Sequence, residues 1–287
     1  MTSIGINLPH GVPGVDGETI LTWARDAESL GFSSIGVAER IVYANTDAVV
    51  TLAAAAAVTS RIRVLANIFI PAVRPAAIFA KEMATLSLFA PGRFTLGVAG
   101  GARPQDYEAA AASWDDRGRR VDEALDALLA LHEPEDHPHS LGPAPHPDIE
   151  ILVGGASKGA IARMLRYGHG FIGGGVNAQF TAYDILAVKG AWQAAGKPGE
   201  PRIIAGSWFA SDERAAEAAE WRTTYLQQGG PPDFVLGPIG TGADGVREMV
   251  DAYAEAGADE VVLLPCVADP AELHWLAEVV ADHLTPA

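Results

Sequence analysis

A chain of 287 residues with 49% hydrophobic and 20% charged side chains can bury a large core, which argues against intrinsic disorder. Its 36 acidic against 20 basic residues leave a formal charge of −16, a field that repels polyanions, so nucleic acid is not an expected partner. A single cysteine, Cys266, excludes disulfide scaffolds and Cys-rich zinc folds, and no apolar run approaches the roughly 20 residues of a membrane span. With no basic leader at Met1-Thr2-Ser3, a reducing, cytoplasmic setting away from membranes is expected.

Short β-branched runs alternate with stretches of helical periodicity along the whole sequence, the pattern of parallel βα units. A strand over residues 4–8 precedes a helix over 19–30, whose Ile20, Trp23, Ala24, Ala27 and Leu30 share one face before the stop at Gly31. Strands over 34–38, 64–70 and 94–98 follow, with helices over 47–58, 75–88 and 117–132. The last of these carries Val121, Leu125, Leu128 and Leu129 as its core stripe. Residues 133–147 hold five prolines with His137, His139 and His146, and are expected to form a loop. Beyond it come strands over 149–153, 170–173, 202–209 and 260–264. Helices are expected over 157–167, 179–194, 212–227 and 271–284, with one more carrying Val246, Met249, Val250 and Tyr253 before Gly257.

Eight strands in a chain near the roughly 250 residues typical of such folds predict a (β/α)8 TIM barrel, in a single domain over 1–287. The doubly wound open sheet is the rival, but Asn7-Leu8-Pro9-His10-Gly11 after the first strand contains no G-x-G-x-x-G.

Barrels of this kind place their chemistry at the carboxyl ends of the strands, which selects the residues just past each one. Val153-Gly154-Gly155-Ala156-Ser157-Lys158 runs from strand through glycines into a helix, and would present free N–H groups and a helix dipole to an anion. The same residues also read as a tight turn with Ser157 as a helix cap. Gly100 and Gly101, after the fourth strand, would leave a flat surface for a planar ring, or simply a flexible loop entry. Glu39 and Arg40 could orient and bind a carbonyl or anionic oxygen, and His10 could act as a general acid or base. As a bare dipeptide, Glu39-Arg40 reads more readily as a structural salt bridge at the barrel rim. His137-Pro138-His139 is a poor metal site, lying in a proline-broken loop with no converging carboxylates, so no metal is expected. Cys266 is expected to be a small buried hydrophobe.

Taken in order, the segments resemble the bacterial luciferase-like family of flavin- or deazaflavin-dependent oxidoreductases over nearly the full length. The resemblance rests on GINLP (5–9), ARDAESLGFSSIGVAER (24–40) and above all RIRVLANIFIPAVRPAAIFAKEMATLSLFAPGRFTLGVAGG (61–101). RGRRVDEALDALLAL (117–131), ILVGGAS (151–157), RYGHGFIGGG (166–175) and GADGVREMVDAYAEAGADEVVLLP (242–265) follow in the family's order.

The resemblance implies a luciferase-like barrel that binds FMN or coenzyme F-420 across its mouth. Its phosphate would lie near Gly154, Gly155, Ala156 and Ser157, with Asn67, Ile68, Gly100 and Gly101 along the ring or ribityl chain. It also implies a non-prolyl cis bond at Asn67–Ile68, a homodimer, and His10, Glu39 and Arg40 beside a small organic substrate. Two departures stand out. Relatives commonly carry Glu-His or Asp-His where this chain has Glu39-Arg40, so a histidine acid or base is absent there, and the segment before the fifth strand is shortened. The expected function is an oxidoreductase or monooxygenase working by hydride transfer or oxygen insertion. Arg40 tilts the cofactor towards the deazaflavin. The alternatives are a non-catalytic flavin-binding protein or partner subunit, and a metal-dependent hydrolase or lyase barrel.

Overall fold

The computed structural model describes residues 2–132, 141–175, 177–228 and 237–285. Parallel strands β1 (Ser3–Asn7), β2 (Ser34–Val37), β3 (Arg63–Phe69), β4 (Phe94–Val98), β5 (Glu150–Gly154), β6 (Gly170–Ile172) and β7 (Arg202–Ala210) pair in sequence order. Two further strands follow, the two-residue β8 (Gly240–Thr241), which pairs only with the end of β7, and β9 (Glu260–Pro265). Because β9 pairs with both β7 and β1, the ring closes on eight strands, and the open-sheet alternative is excluded. The eight expected strands are thus all present, each within a residue of its expected limits at either end.

Helices α1 (Gly17–Leu30), α2 (Ala48–Ala57), α3 (Ala76–Phe89), α4 (Pro104–Ala109), α5 (Arg117–Leu129), α6 (Lys158–Tyr167), α7 (Ala178–Ala194), α8 (Ala215–Gln227), α9 (Gly242–Glu255) and α10 (Pro270–Val279) connect the strands. Their starts follow local chemistry: Asp16, Asp47, Ser157, Asn177 and Asp269 each accept a backbone N–H in the first turn of the helix they cap. Gly31 ends α1 at φ +88°, and a Cβ there would sit 2.0 Å from the Thr285 carbonyl oxygen. The structure shortens α5, whose last residues form a 3-10 turn over Ala130–His132, and adds α4 and β8, both too short to announce themselves by periodicity. Much of the Pro/His-rich segment, with His137 and His139, lies outside the described residues.

Alternating strand residues divide into an outer and an inner set. The outer set, including Ile4, Ile6, Ile35, Val64, Leu96, Ile151, Phe171, Ile203 and Leu263, packs under the helices in the main core. Inside the ring, Leu65, Leu152, Ile172, Ile204 and Val262 form a separate buried layer, with Ile68 packed on it. Beneath that layer the amino ends of the strands carry a polar network. Glu150 accepts from Arg63 and Thr95 at 2.8 Å, Arg202 bridges to Glu260, and Glu260 accepts from Ser33 and Ser34 at 2.6 Å. Glu260, the buried charge among them, is tolerated there because it is paired with Arg202 and hydrogen-bonded to both serines. Space inside is scarce: a Cβ on Gly97 would stand 2.3 Å from the Ala66 carbonyl and 3.0 Å from Ile172 Cδ1. The inner layer therefore plugs the barrel at mid-height, and the residues above it form a mouth at the carboxyl ends.

Candidate functional site

The loops and strand ends around that mouth carry every expected site residue. At the end of β1, Asn7 is buried, and its Oδ1 accepts from Asn67 Nδ2 at 3.2 Å. Gly36 of β2 makes the approach possible, since a Cβ there would lie 2.3 Å from the same Asn7 oxygen. The Asn67–Ile68 peptide is cis, as the resemblance implied. The Ile68 carbonyl accepts the Glu39 N–H at 3.0 Å, and the β3–β4 register shifts between Ala66 and Phe69.

Over β3 to β6 the mouth is lined by small residues: Ala99, Gly100, Gly101, Gly154, Gly155 and Gly174. Gly101 and Gly155 hold φ of +67° and +86°, a backbone that side-chain-bearing residues rarely adopt. Tyr107 of α4 fixes this rim by donating to the Gly100 carbonyl at 2.5 Å, and burial raises its phenol to about 12. Ser157 caps α6, accepting from Ala160 N at 3.2 Å, so the bland reading of that serine is realised. Capping occupies one acceptor and leaves the leading N–H groups of α6 without intrahelical partners, at the exposed end of the glycine turn.

The opposite half, over β7 and β9, is aromatic. Trp208 at the end of β7 packs with Trp221 and Tyr225 of α8, the latter two stacked 5.1 Å apart, above Cys266 and Val267. Cys266 is buried and burial pushes its thiol up, so it is inert packing rather than a nucleophile. Arg40 enters from the β2 end, its guanidinium 4.2 Å from the Tyr43 ring and 4.4 Å from the Tyr225 ring. Burial lowers its pKa, and Arg103 adds to that while Tyr225 and Asp106 oppose it.

The polar atoms of Glu39 and His10 are taken up by protein partners. The Glu39 carboxylate accepts from Ile70 N at 2.6 Å and from both Nη atoms of Arg74, so its salt bridge is made with Arg74 and not with the neighbouring Arg40. Arg74 also meets Glu82 at 3.2 Å, and burial raises the Glu82 carboxyl above its ordinary range. His10 is buried with Nδ1 3.1 Å from the Leu8 carbonyl and Nε2 2.7 Å from that of Ala38, stitching the β1 and β2 loops together. Burial lowers its pKa, and the two carbonyls only partly oppose this. Sequence reasoning missed Tyr43, Asp106, Tyr107 and Tyr225, which reach the mouth from loops and helices rather than from strand ends.

An apolar groove of about 300 Å³ lies between α2 and α3, away from the mouth, and a more polar hollow of about 450 Å³ lies beside the loops that follow β1 and β9. Among the described residues no cluster of His, Cys, Asp or Glu could hold a metal ion, and no helix is long and apolar enough to cross a membrane.

Residues 2–265 match the family described as luciferase-like monooxygenase. An uncharacterized protein of Mycobacterium tuberculosis (strain ATCC 25618 / H37Rv) is 29% identical over 223 residues, 66% of this chain and 77% of that protein. An F420-dependent secondary alcohol dehydrogenase, solved with an F420-acetone adduct, superposes with a TM-score of 0.81 at 19% identity over 99% of this chain and all of that one. The oxygenating constituent of 3,6-diketocamphane monooxygenase from Pseudomonas putida, solved with FMN, gives a TM-score of 0.69 at 18% identity over 100% of this chain and 98% of that one.

Proposed function

The chain belongs to the luciferase-like monooxygenase family, and from that premise we propose that it is a flavin- or deazaflavin-dependent oxidoreductase acting on a small organic substrate at the barrel mouth. The observation that carries this reading is the small-residue half of the mouth, which runs from Asn67 and Ile68 past Gly100 and Gly101 to a glycine turn at the head of α6. The donor set suits the coenzyme: main-chain N–H groups and a helix dipole at Gly154, Gly155, Ala156 and Ser157 for a phosphate, and side-chain-free backbone for a flat ring. When bound, the coenzyme supplies hydride or oxygen chemistry, which no side chain of this mouth provides.

The chain's own residues orient and exclude water. Asn7 and Asn67 hold one another at the floor, Tyr107 fixes the Gly100 carbonyl, and the Trp208, Trp221 and Tyr225 cluster dries the opposite wall. Arg40 is the residue proposed to touch substrate. Glu39 and His10 act through others, as positioning residues: the first on Ile70 and Arg74, the second on the Leu8 and Ala38 carbonyls.

Coenzyme F-420 and FMN are both accommodated by this reading, and both occur in the structural neighbours. Calorimetric titration of the purified protein with each is expected to give saturable binding of one; binding of neither overturns the proposal. A homodimer is part of the reading, supported by the apolar α2–α3 groove and the exposed Val50, Ile78 and Phe89 beside it. Sedimentation is expected to give twice the chain mass, and a charged substitution at Ile78 to shift the protein towards monomer. Buried Cys266 fits a cytoplasmic location.

A further inference from the structure

Helix α7 follows β6, which stands opposite β2 in the ring, so its outer face lies across the barrel from the α2–α3 groove. Its neighbour α9 is an ordinary solvated helix, whose exposed residues are Asp244, Arg247, Glu248, Asp251 and Glu255, every one charged. On α7 the exposed residues include no charge at all, in a chain of net charge −16. The two charged residues of the helix leave that face. Lys189 reaches towards the end of α9, where its Nζ would stand 3.0 Å from a Cβ on Gly257, and Asp184 lies half-buried on the other flank.

What remains is apolar and ordered by size. Phe180, Tyr183, Ala187, Gly190 and Ala194 recur at alternating spacings of three and four, the seam of a helix that packs lengthwise on another. Large side chains fill the first half, where Phe180, Tyr183 and Leu186 are 48%, 63% and 67% exposed, and small ones the second. Such a face complements its own reverse. A two-fold axis crossing the helix near Ala187 sets Phe180 over the partner's Ala194 and Tyr183 over the partner's Gly190, with Gln179 and the partner's Gln193 in place to hydrogen-bond at the edge. Small residues let the helix axes approach to the lower end of the roughly 8–10 Å range, so the rings find room.

We propose that the α7 face docks a second copy of this chain, in antiparallel two-fold contact. Charge selects that occupant, and area sets the strength of the contact. Two molecules of charge −16 repel one another except where a face is free of charge, and a basic partner gains nothing from this one. At roughly 150–250 Å² for a whole aromatic side chain, the exposed fractions put the face on the order of 400 Å² per copy, or about 800 Å² buried in the pair. A specific stable interface buries about 1,200–2,000 Å², so this contact is weak and reversible, looser than the roughly micromolar limit of standard-sized interfaces. Lying opposite the α2–α3 groove, it leaves that groove free, and contacts of the two kinds in alternation extend an assembly rather than close it.

Sedimentation velocity from micromolar to near-millimolar protein tests this in the parent and in an Ile78→Asp background, which takes the α2–α3 groove out of the reading. The weight-average sedimentation coefficient is expected to rise with concentration in both, and to rise further as salt screens the repulsion between copies. Tyr183→Asp and Leu186→Glu should each remove the rise in the Ile78→Asp background. Gly190→Leu separates a fitted contact from general stickiness. A Cβ there meets nothing within 4 Å in its own chain, so the monomer accepts it, yet the added bulk fills the space due to Tyr183 of the partner subunit. It should weaken association although it makes the face more apolar. Circular dichroism melting checks that each variant is folded. Because Cys266 is buried, Ala187→Cys adds an accessible thiol at the two-fold, which diamide should link across the pair as a disulfide while leaving Glu255→Cys on α9 unlinked. A coefficient that stays constant with concentration in the parent overturns the proposal and leaves the face to a different protein. So does Gly190→Leu associating as strongly as the parent or more so. A rise that vanishes in the Ile78→Asp background overturns it as well, and assigns the association to the α2–α3 groove.

Discussion

Replacing Glu39 by alanine tests whether the acid beside Arg40 is a structural joint or part of the chemistry. Its side chain is 2% exposed and that of Arg74 13%, so both charges of the pair have left water. Removing the carboxylate strands the guanidinium and the Ile70 N–H together. Breaking a buried pair in this way costs about 3–5 kcal/mol. Glu82 offers little rescue, because burial already disfavours its charged form. With a urea m-value of about 3 kcal/mol/M, the midpoint should fall by about 1 M or more. Glu39→Gln keeps an oxygen for the Ile70 N–H and should lose roughly half as much, since one of the two stranded donors is restored. Urea titrations followed by tryptophan fluorescence measure both. An alanine variant with an unchanged midpoint but no turnover would refute the argument and return Glu39 to the reacting atoms.

Other perturbations address separate parts of the frame. Because burial holds His10 below the ordinary imidazole range, the native state resists protonation while the unfolded chain accepts it. The contribution of His10 is therefore fully present above about pH 6.5, the unfolded value, and is lost as pH falls towards the folded one. His10→Asn should flatten that acid limb in melting temperatures taken between pH 7.5 and 5; a parent that gains stability on acidification would contradict the sign. Gly97→Val places a Cβ against the Ala66 carbonyl, Ile172 and Ile68. It should cost about 1–3 kcal/mol of stability and weaken coenzyme binding, whereas unchanged calorimetry on both counts would mean the inner layer yields. Arg93 donates to the Ala56, Thr59 and Ile62 carbonyls near the end of α2, so Arg93→Met should lower stability by about 3 kcal/mol or more, measured by urea unfolding.

The barrel was readable because each strand is a short β-branched run and each long helix repeats an apolar stripe, signals set within a dozen residues. Closure of the ring follows from the same count. Glycine turns after β4 and β5 were readable too, since glycine reports backbone demands locally. What escaped was set by distance along the chain. Arg74 lies 35 residues beyond the acid it neutralises, and the Gln228 carbonyl 188 residues beyond Arg40. No periodicity joins such pairs. Glu39-Arg40 shows the limit plainly: adjacent in sequence, the two side chains diverge, one into the salt bridge with Arg74 and the other between tyrosines.

That divergence follows from the geometry of a strand end. Successive residues leaving β2 project to opposite sides, so one side chain turns into the shell where Arg74 waits and the next faces the mouth. The two halves of the mouth then differ for physical reasons. Over β3 to β6, backbone groups and small residues offer donors and flat space without competing side chains. Over β7 and β9, tryptophan and tyrosine exclude water and raise the value of any charge placed among them. Under the proposed reading the coenzyme would lie in the first environment, while Asn67 and Ile68 lie beside Asn7 on the floor that both halves share. The polar network at the opposite end of the barrel, with Glu260 and Glu150 held by Arg202 and Arg63, ties the strands together below that floor.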